Sequence, residues 1–307
     1  MHCRAVSRVA DLTQRMGADG DRATAHRRAV DRAIDRIFAD LTGPLDLAAI
    51  AADAGYSKWH FQRIFTAIMG ESPATFVART RLERAVALAR AEPGRTWKEL
   101  AWEVGFATPQ QLSREFARRY GKPARAWDRS SPLVDAGRRF VATELGQSSH
   151  DVVLDVHIEH LPATRFAYLR VRDPYTAPNL EAAWHEVATW RATLPSPTVM
   201  LGMSWDDPAT VPAELCRYDI GLELDATVPA PSAASERWMP STTVAMVRVD
   251  GDLTAVEAAW EHLHRTWLPA SSFRSTALPA IERYTADPQP DMDRWVIDCI
   301  LPITPAR

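Results

Sequence analysis

A chain of 307 residues with 46% apolar content has material for two domains with separate cores, and without a run of about 18 apolar residues no membrane span is expected. Three widely separated cysteines, Cys3, Cys216 and Cys299, argue against a zinc site and a disulfide framework, and the start, Met1 to Arg22, lacks a signal core. A cytoplasmic protein with reduced thiols, no cofactor and no bound metal is expected. The net charge of −3 conceals a division: residues 24–129 carry 18 Lys+Arg against 12 Asp+Glu, and residues 151–307 carry 12 against 22. The first half can approach phosphate and the second would be repelled by it, so the halves have partners of different kinds.

In chain order, residues 1–22 read as a polar leader and residues 23–129 as an all-α domain. Val30, Ile34, Ile37, Phe38 and Leu41 mark a first helix that ends at Gly43-Pro44, and Asp46 caps a second over 47–54. Gly55 is placed to take the left-handed turn and Ser57 to cap the next helix. On that helix Phe61, Ile64, Phe65 and Ile68 share one side, while Lys58, Trp59, Gln62, Arg63 and Thr66 share the other. Ser72-Pro73 starts a long arginine-rich connecting helix to about Arg90. A second copy then follows about fifty residues on: Ala101-Trp102-Glu103-Val104-Gly105-Phe106 answers Ala51 to Tyr56, and Leu112-Ser113-Arg114-Glu115-Phe116 answers Phe61 to Phe65. Two helix-turn-helix units can offer recognition helices to successive major grooves, roughly 34 Å apart.

These residues resemble the AraC/XylS family of transcription regulators, and Ala54 to Phe65 is similar to its Rob-type branch. The resemblance implies that Trp59, Gln62 and Arg63 meet DNA in one groove and Gln110 and Arg114 in the next, and Lys58 and Gln111 are further candidate DNA contacts. The side-chain chemistry agrees, since Arg pairs with guanine edges, Gln with adenine, and Trp packs on sugar or a thymine methyl. Pro109, Gln111 and Trp127-Asp128 depart from the family pattern.

Residues 130–150 read as a linker, and beyond it the pattern alternates. Strands are expected around 152–158, 166–171, 199–204, 217–224 and 242–249, with a helix over 180–194. Leu180 to Trp184 recurs as Val256 to Trp260, Asp207-Pro208 as Asp287-Pro288, and Arg217-Tyr218 as Arg294-Trp295, at offsets of 76, 80 and 77. An α+β domain over 151–307, built from a duplicated βαββ unit, is expected.

This half resembles the GyrI-like ligand-binding domain through Trp267-Leu268-Pro269 and Leu278 to Tyr284. The resemblance implies that Glu282 sits in an aromatic pocket and meets a lipophilic cation, with Tyr284, Trp184, Trp260 and Tyr168 as candidate ligand contacts. Seven of the eleven tryptophans lie here. A carboxylate among aromatic faces suits a delocalised cation through charge and cation-π attraction together. The whole chain thus reads as a regulator that binds double-stranded promoter DNA and RNA polymerase, senses a small aromatic or cationic effector, and is not an enzyme. Two alternatives stand beside it: a carboxy-terminal hydrolase of reactive natural products, and a ligand-free domain that docks protein.

Overall fold

A computed structural model describes residues 3–129, 154–174, 179–194, 198–206, 211–285 and 294–306. The expected linker and the two Asp-Pro repeats fall wholly or partly outside these residues. The chain separates into two compact units, Met1–Ala78 and Arg79–Arg307.

The first unit holds α1 (Cys3–Ala39), α2 (Leu47–Asp53), α3 (Lys58–Met69) and the start of α4 (Pro73–Ala91). Helix α1 runs through the stretch expected as a polar leader. Those residues contain no proline, and Gly17 and Gly20 weaken a helix by about 1 kcal/mol each without breaking it, so it can extend backward. The Asp46 carboxylate accepts from the Ala48 and Ala49 amides, and the Ser57 hydroxyl accepts from the His60 amide. Gly55, at φ 78°, makes the left-handed turn between α2 and α3, which a side chain would strain. Val30, Ile34, Ile50, Phe61, Phe65 and Phe76 form the core.

The second unit begins with the remainder of α4, followed by α5 (Trp97–Glu103) and α6 (Pro109–Tyr120). Thr96 and Glu99 form a reciprocal capping box on α5, and Thr108 caps α6. Leu82, Val86, Leu100, Leu112 and Phe116 are its core, and Trp127, where the sequence departs from the family, is buried against Phe116 and Trp97.

Among the described residues the same unit contains nine strands: β1 (His157–Leu161), β2 (Thr164–Arg172), β3 (Met200–Ser204), β4 (Arg217–Leu224), β5 (Ser235–Met239), β6 (Thr242–Gly251), β7 (Phe273–Ser275), β8 (Ala280–Tyr284) and β9 (Trp295–Pro305). Helix α7 (Asn179–Thr193) precedes β3, and α8 (Leu253–Glu261) follows β6. The strand order is β1-β6-β9-β8-β3-β4-β2-β5, with β7 beside β9. Exchanging β1 with β5, β2 with β6, β3 with β8 and β4 with β9 reverses this order onto itself.

Two strands lie outside the expected strand-helix-strand-strand pattern and cross between the halves of the sheet. β1 bonds β6, and β5, which the sequence reading omits, bonds β2. The two ladders share one register: His157 faces Met246, Leu161 faces Thr242, Thr164 faces Met239 and Tyr168 faces Ser235. One antiparallel ribbon therefore runs through β1–β2 and β5–β6. It is interrupted only at Pro162-Ala163 and Pro240-Ser241, where proline supplies no amide for the ladder. The ribbon joins the two ends of the sheet. Helices α7 and α8 cover one face through Ala183, Val187, Val256 and Ala259, packed with Leu169, Ile220, Leu222 and Val247. The other face encloses Phe166, Tyr168, Met203, Val244 and Ile300.

Candidate functional site

Strands β3 and β8 meet at the centre of the strand order, where Gly202 stands directly across from Glu282. Period-2 alternation turns Glu282 and Tyr284 toward the helix-covered face. The Tyr218 hydroxyl donates to Glu282 Oε2 at 2.5 Å, the Tyr284 hydroxyl donates to the same oxygen at 2.8 Å, and Trp260 Nε1 donates to Oε1 at 3.2 Å. Burial first, and then the Glu282 charge, push both phenols well above their ordinary range, so they remain neutral donors. Burial likewise raises the Cys299 thiol beside them. Glycine at 202 is required here, because a Cβ would fall on the Tyr218 hydroxyl.

The aromatic wall continues outward. Trp184 meets Tyr284 edge-on at 4.5 Å between ring centroids, and Trp295 lies 6.0 Å from Tyr284. Glu282, Tyr284, Trp260 and Trp184 are thus brought together, and Tyr218, which the sequence reading missed, joins them.

Tyr168 is not brought to this cluster. It lies on the opposite face of the sheet, stacked on Phe166 at 5.5 Å with the Arg237 guanidinium 4.2 Å from its ring centre. There the buried Asp219 accepts from Arg170 at 2.7 and 2.8 Å, from Trp205 Nε1 at 2.6 Å and from Arg237. The ladder pair Arg170–Asp219 recurs as Arg248–Asp298, a correspondence that matching Arg217-Tyr218 with Arg294-Trp295 does not predict.

On α3, Phe61, Ile64 and Phe65 are buried while Lys58, Trp59 and Arg63 are exposed and Gln62 is half-buried. Trp59 is 73% exposed, so it is no core residue of this chain. On α6, Gln110 and Arg114 are exposed. Gln111 differs: its side-chain oxygen accepts from the Ala107 amide at 3.1 Å and its own amide donates to Thr108 Oγ1 at 3.2 Å, so it secures the start of α6. Arg118 is paired with Glu115 and Arg119 with Glu83. Among the described residues no cluster of His, Cys, Asp and Glu could hold a metal, and no helix is long and apolar enough to cross a membrane.

A helical region with two capped helix-turn-helix pairs, followed by a sheet domain with an aromatic-lined carboxylate, defines a DNA-binding module joined to a small-molecule-binding module. Residues 50–130 match the helix-turn-helix domain family model, and residues 154–304 match the GyrI-like small molecule binding domain. The chain thus carries an AraC-type helix-turn-helix domain and a GyrI-like domain. It is 27% identical over 152 residues to the SPbeta prophage-derived YosT of Bacillus subtilis (strain 168), covering 49% of this chain and 99% of that protein. It is 33% identical over 99 residues to the transcriptional regulator Rob of Salmonella typhimurium, covering 32% of this chain and 34% of Rob. The match thus spans about a third of Rob. The crystal structure of the EcmrR C-terminal domain aligns with 50% of this chain and 100% of its own, at 13% identity and a TM-score of 0.41.

Proposed function

We propose that this chain is a one-component transcription regulator whose α3 and α6 read promoter DNA and whose pocket at Glu282 takes a lipophilic monocation. The observation that carries the effector class is the single carboxylate held by two neutral phenols and an indole N–H. Coulomb attraction acts at a half-buried carboxylate beside two buried phenols, and the rings of Trp184 and Trp260 add cation-π contact. Trp59, Gln62 and Arg63 are the principal contacts of α3, with Lys58 beside them, and Gln110 and Arg114 those of α6. Gln111 supports α6 rather than reading a base. Contact with RNA polymerase belongs to the same proposal. The regulator divides as 1–22, 23–129, 130–150 and 151–307, with α1 continuous across the first of these boundaries.

The pocket binds without turnover in this reading. Three donors fill three of the carboxylate's roughly four acceptor positions, a setting that holds charge rather than relaying protons to water. The test uses the full chain. Duplexes enriched from a random pool define its site, and tetraphenylphosphonium, a delocalised monocation, is titrated against that complex. Saturable tryptophan quenching together with a change in duplex affinity is expected. No enriched duplex, or no response to this cation and a varied panel of others, overturns the proposal, and the latter result favours the protein-docking alternative.

A further inference from the structure

Within the Arg79–Arg307 unit, an unbroken series of contacts leads from Glu282 to the second helix-turn-helix. Of the three donors to the carboxylate, the phenols of Tyr218 and Tyr284 come from strands, and Trp260 alone comes from a helix, at the longest distance, 3.2 Å. That helix, α8, continues without interruption into a π-helical stretch, His262–Trp267, and then Leu268–Ala270. π-Helical turns are uncommon and occur where a helix changes register, frequently at functional sites. At the end of this segment Trp267 stacks on Phe273, with centroids 6.1 Å apart and planes 15° from parallel.

Phe273 opens β7, the short strand beside β9. The far end of β7 is held by the DNA-binding half. Arg84 of α4 donates through Nη1 to the Thr276 carbonyl at 2.9 Å and through Nη2 to the Ser275 carbonyl at 3.4 Å. Arg274 lies 3.6 Å from Glu92, just past the end of α4, and 3.8 Å from Glu103, the last residue of α5. Glu103 also pairs with Arg95 in the turn between those helices.

We propose that the Trp260–Glu282 hydrogen bond is a latch. A cation seated against Glu282 breaks it, and the released α8 with its π-helical continuation moves β7, which α4 and α5 hold through Arg84 and Arg274. This rests on the reading of Glu282 as a cation site. Trp260 is the donor that yields because it makes the longest of the three bonds and is carried by a helix that turns π-helical two residues further on. Trp184 on α7 supplies the internal comparison: it contacts the same aromatic cluster through Tyr284 and lies outside the route through α8 and β7.

The test is hydrogen exchange on the full chain, first without ligand. Trp260→Phe removes the N–H and keeps a ring. Its amides over 84–103 are expected to exchange about fivefold faster than wild type, the factor that the net worth of one hydrogen bond sets. Trp184→Phe is expected to leave 84–103 unchanged. In an Arg84→Gln/Arg274→Gln background, adding Trp260→Phe is expected to cause no further change over 84–103. The relay is overturned if Trp260→Phe alters only amides near Glu282, if Trp184→Phe loosens 84–103 equally, or if the fivefold change persists in the Arg84→Gln/Arg274→Gln background. A parallel tetraphenylphosphonium titration decides the pocket separately: absence of saturable quenching sinks the cation reading, while the ligand-free variants still decide the relay.

Discussion

Replacing Glu282 by Gln removes the pocket's charge while keeping its volume, and the size of the effect can be estimated. With the charge centre of tetraphenylphosphonium about 5 Å from the carboxylate and an effective dielectric constant of about 20, Coulomb attraction is about 3 kcal/mol. Half or more of that is offset by the cost of dehydrating the cation and of releasing the carboxylate's own donors. A net loss of about 1.5 kcal/mol remains, or roughly a tenfold weaker Kd. The Gln side chain adds its own conflict, because an amide oxygen turned toward Tyr218 and Tyr284 leaves the amide nitrogen facing the Trp260 N–H, donor against donor. The assay is tryptophan quenching of the full chain, with triphenylphosphine oxide as a neutral ligand of similar shape. The variant is expected to lose affinity for the cation and to bind the neutral ligand as wild type does. Equal affinity of wild type and variant for the cation, or an equal loss for both ligands, refutes the electrostatic argument.

Three further outcomes follow from particular contacts. Gly202→Ala places a Cβ on the Tyr218 hydroxyl, so the ring or β3 must shift; a destabilisation of about 1–3 kcal/mol is expected in chemical denaturation, and an unchanged midpoint would contradict the position given to Tyr218. Trp59→Ala should weaken binding to the selected duplex by about 1–3 kcal/mol, yet leave thermal stability unaltered because the indole is exposed; the opposite pattern, lower stability with intact affinity, would return Trp59 to the core. Asp219 titrates low: burial raises its pKa, but Arg170 and Arg237 outweigh burial and hold the carboxyl below its usual range. Its folded value being depressed, its stabilisation is complete above the ordinary aspartate value of about 3.9 and is lost as pH falls through the folded value. Asp219→Asn should therefore flatten the acid limb of the stability curve below about pH 4, and an acid limb as steep as wild type would show that another group governs it.

The helical half is legible because its signals are local. Gly55 does take left-handed backbone, Asp46 and Ser57 do cap, and helical spacing separates Phe61 and Phe65 from Trp59 and Arg63. The ligand half is less legible because a strand has two faces and its sequence does not say which one the helices cover. Tyr218 shares a parity with Ile220 and Leu222, but only the packing of α7 and α8 tells that this parity leads to Glu282. Tyr168 has the same chance and falls on the other side. Gln111 is ambiguous for a different reason: a polar side chain near a helix start can serve the backbone as well as a base, and here its oxygen accepts from the Ala107 amide. The strand order eluded reading since neighbours in sequence usually pair, whereas β1 and β2 lie end to end in one ribbon.

That ribbon also sets a timetable for synthesis. Its first strand, β1–β2, emerges from the ribosome well before its partner β5–β6, and at about 5–20 residues per second the wait is on the order of ten seconds. During that interval β4 can pair with β2 along one side, but β1 has no native partner and the other edge of β2 is open. The nascent chain therefore passes through a stage with unpaired strand edges, the kind of surface on which wrong pairing begins. The sheet loses those edges only when residues 235–246 arrive and the ribbon closes.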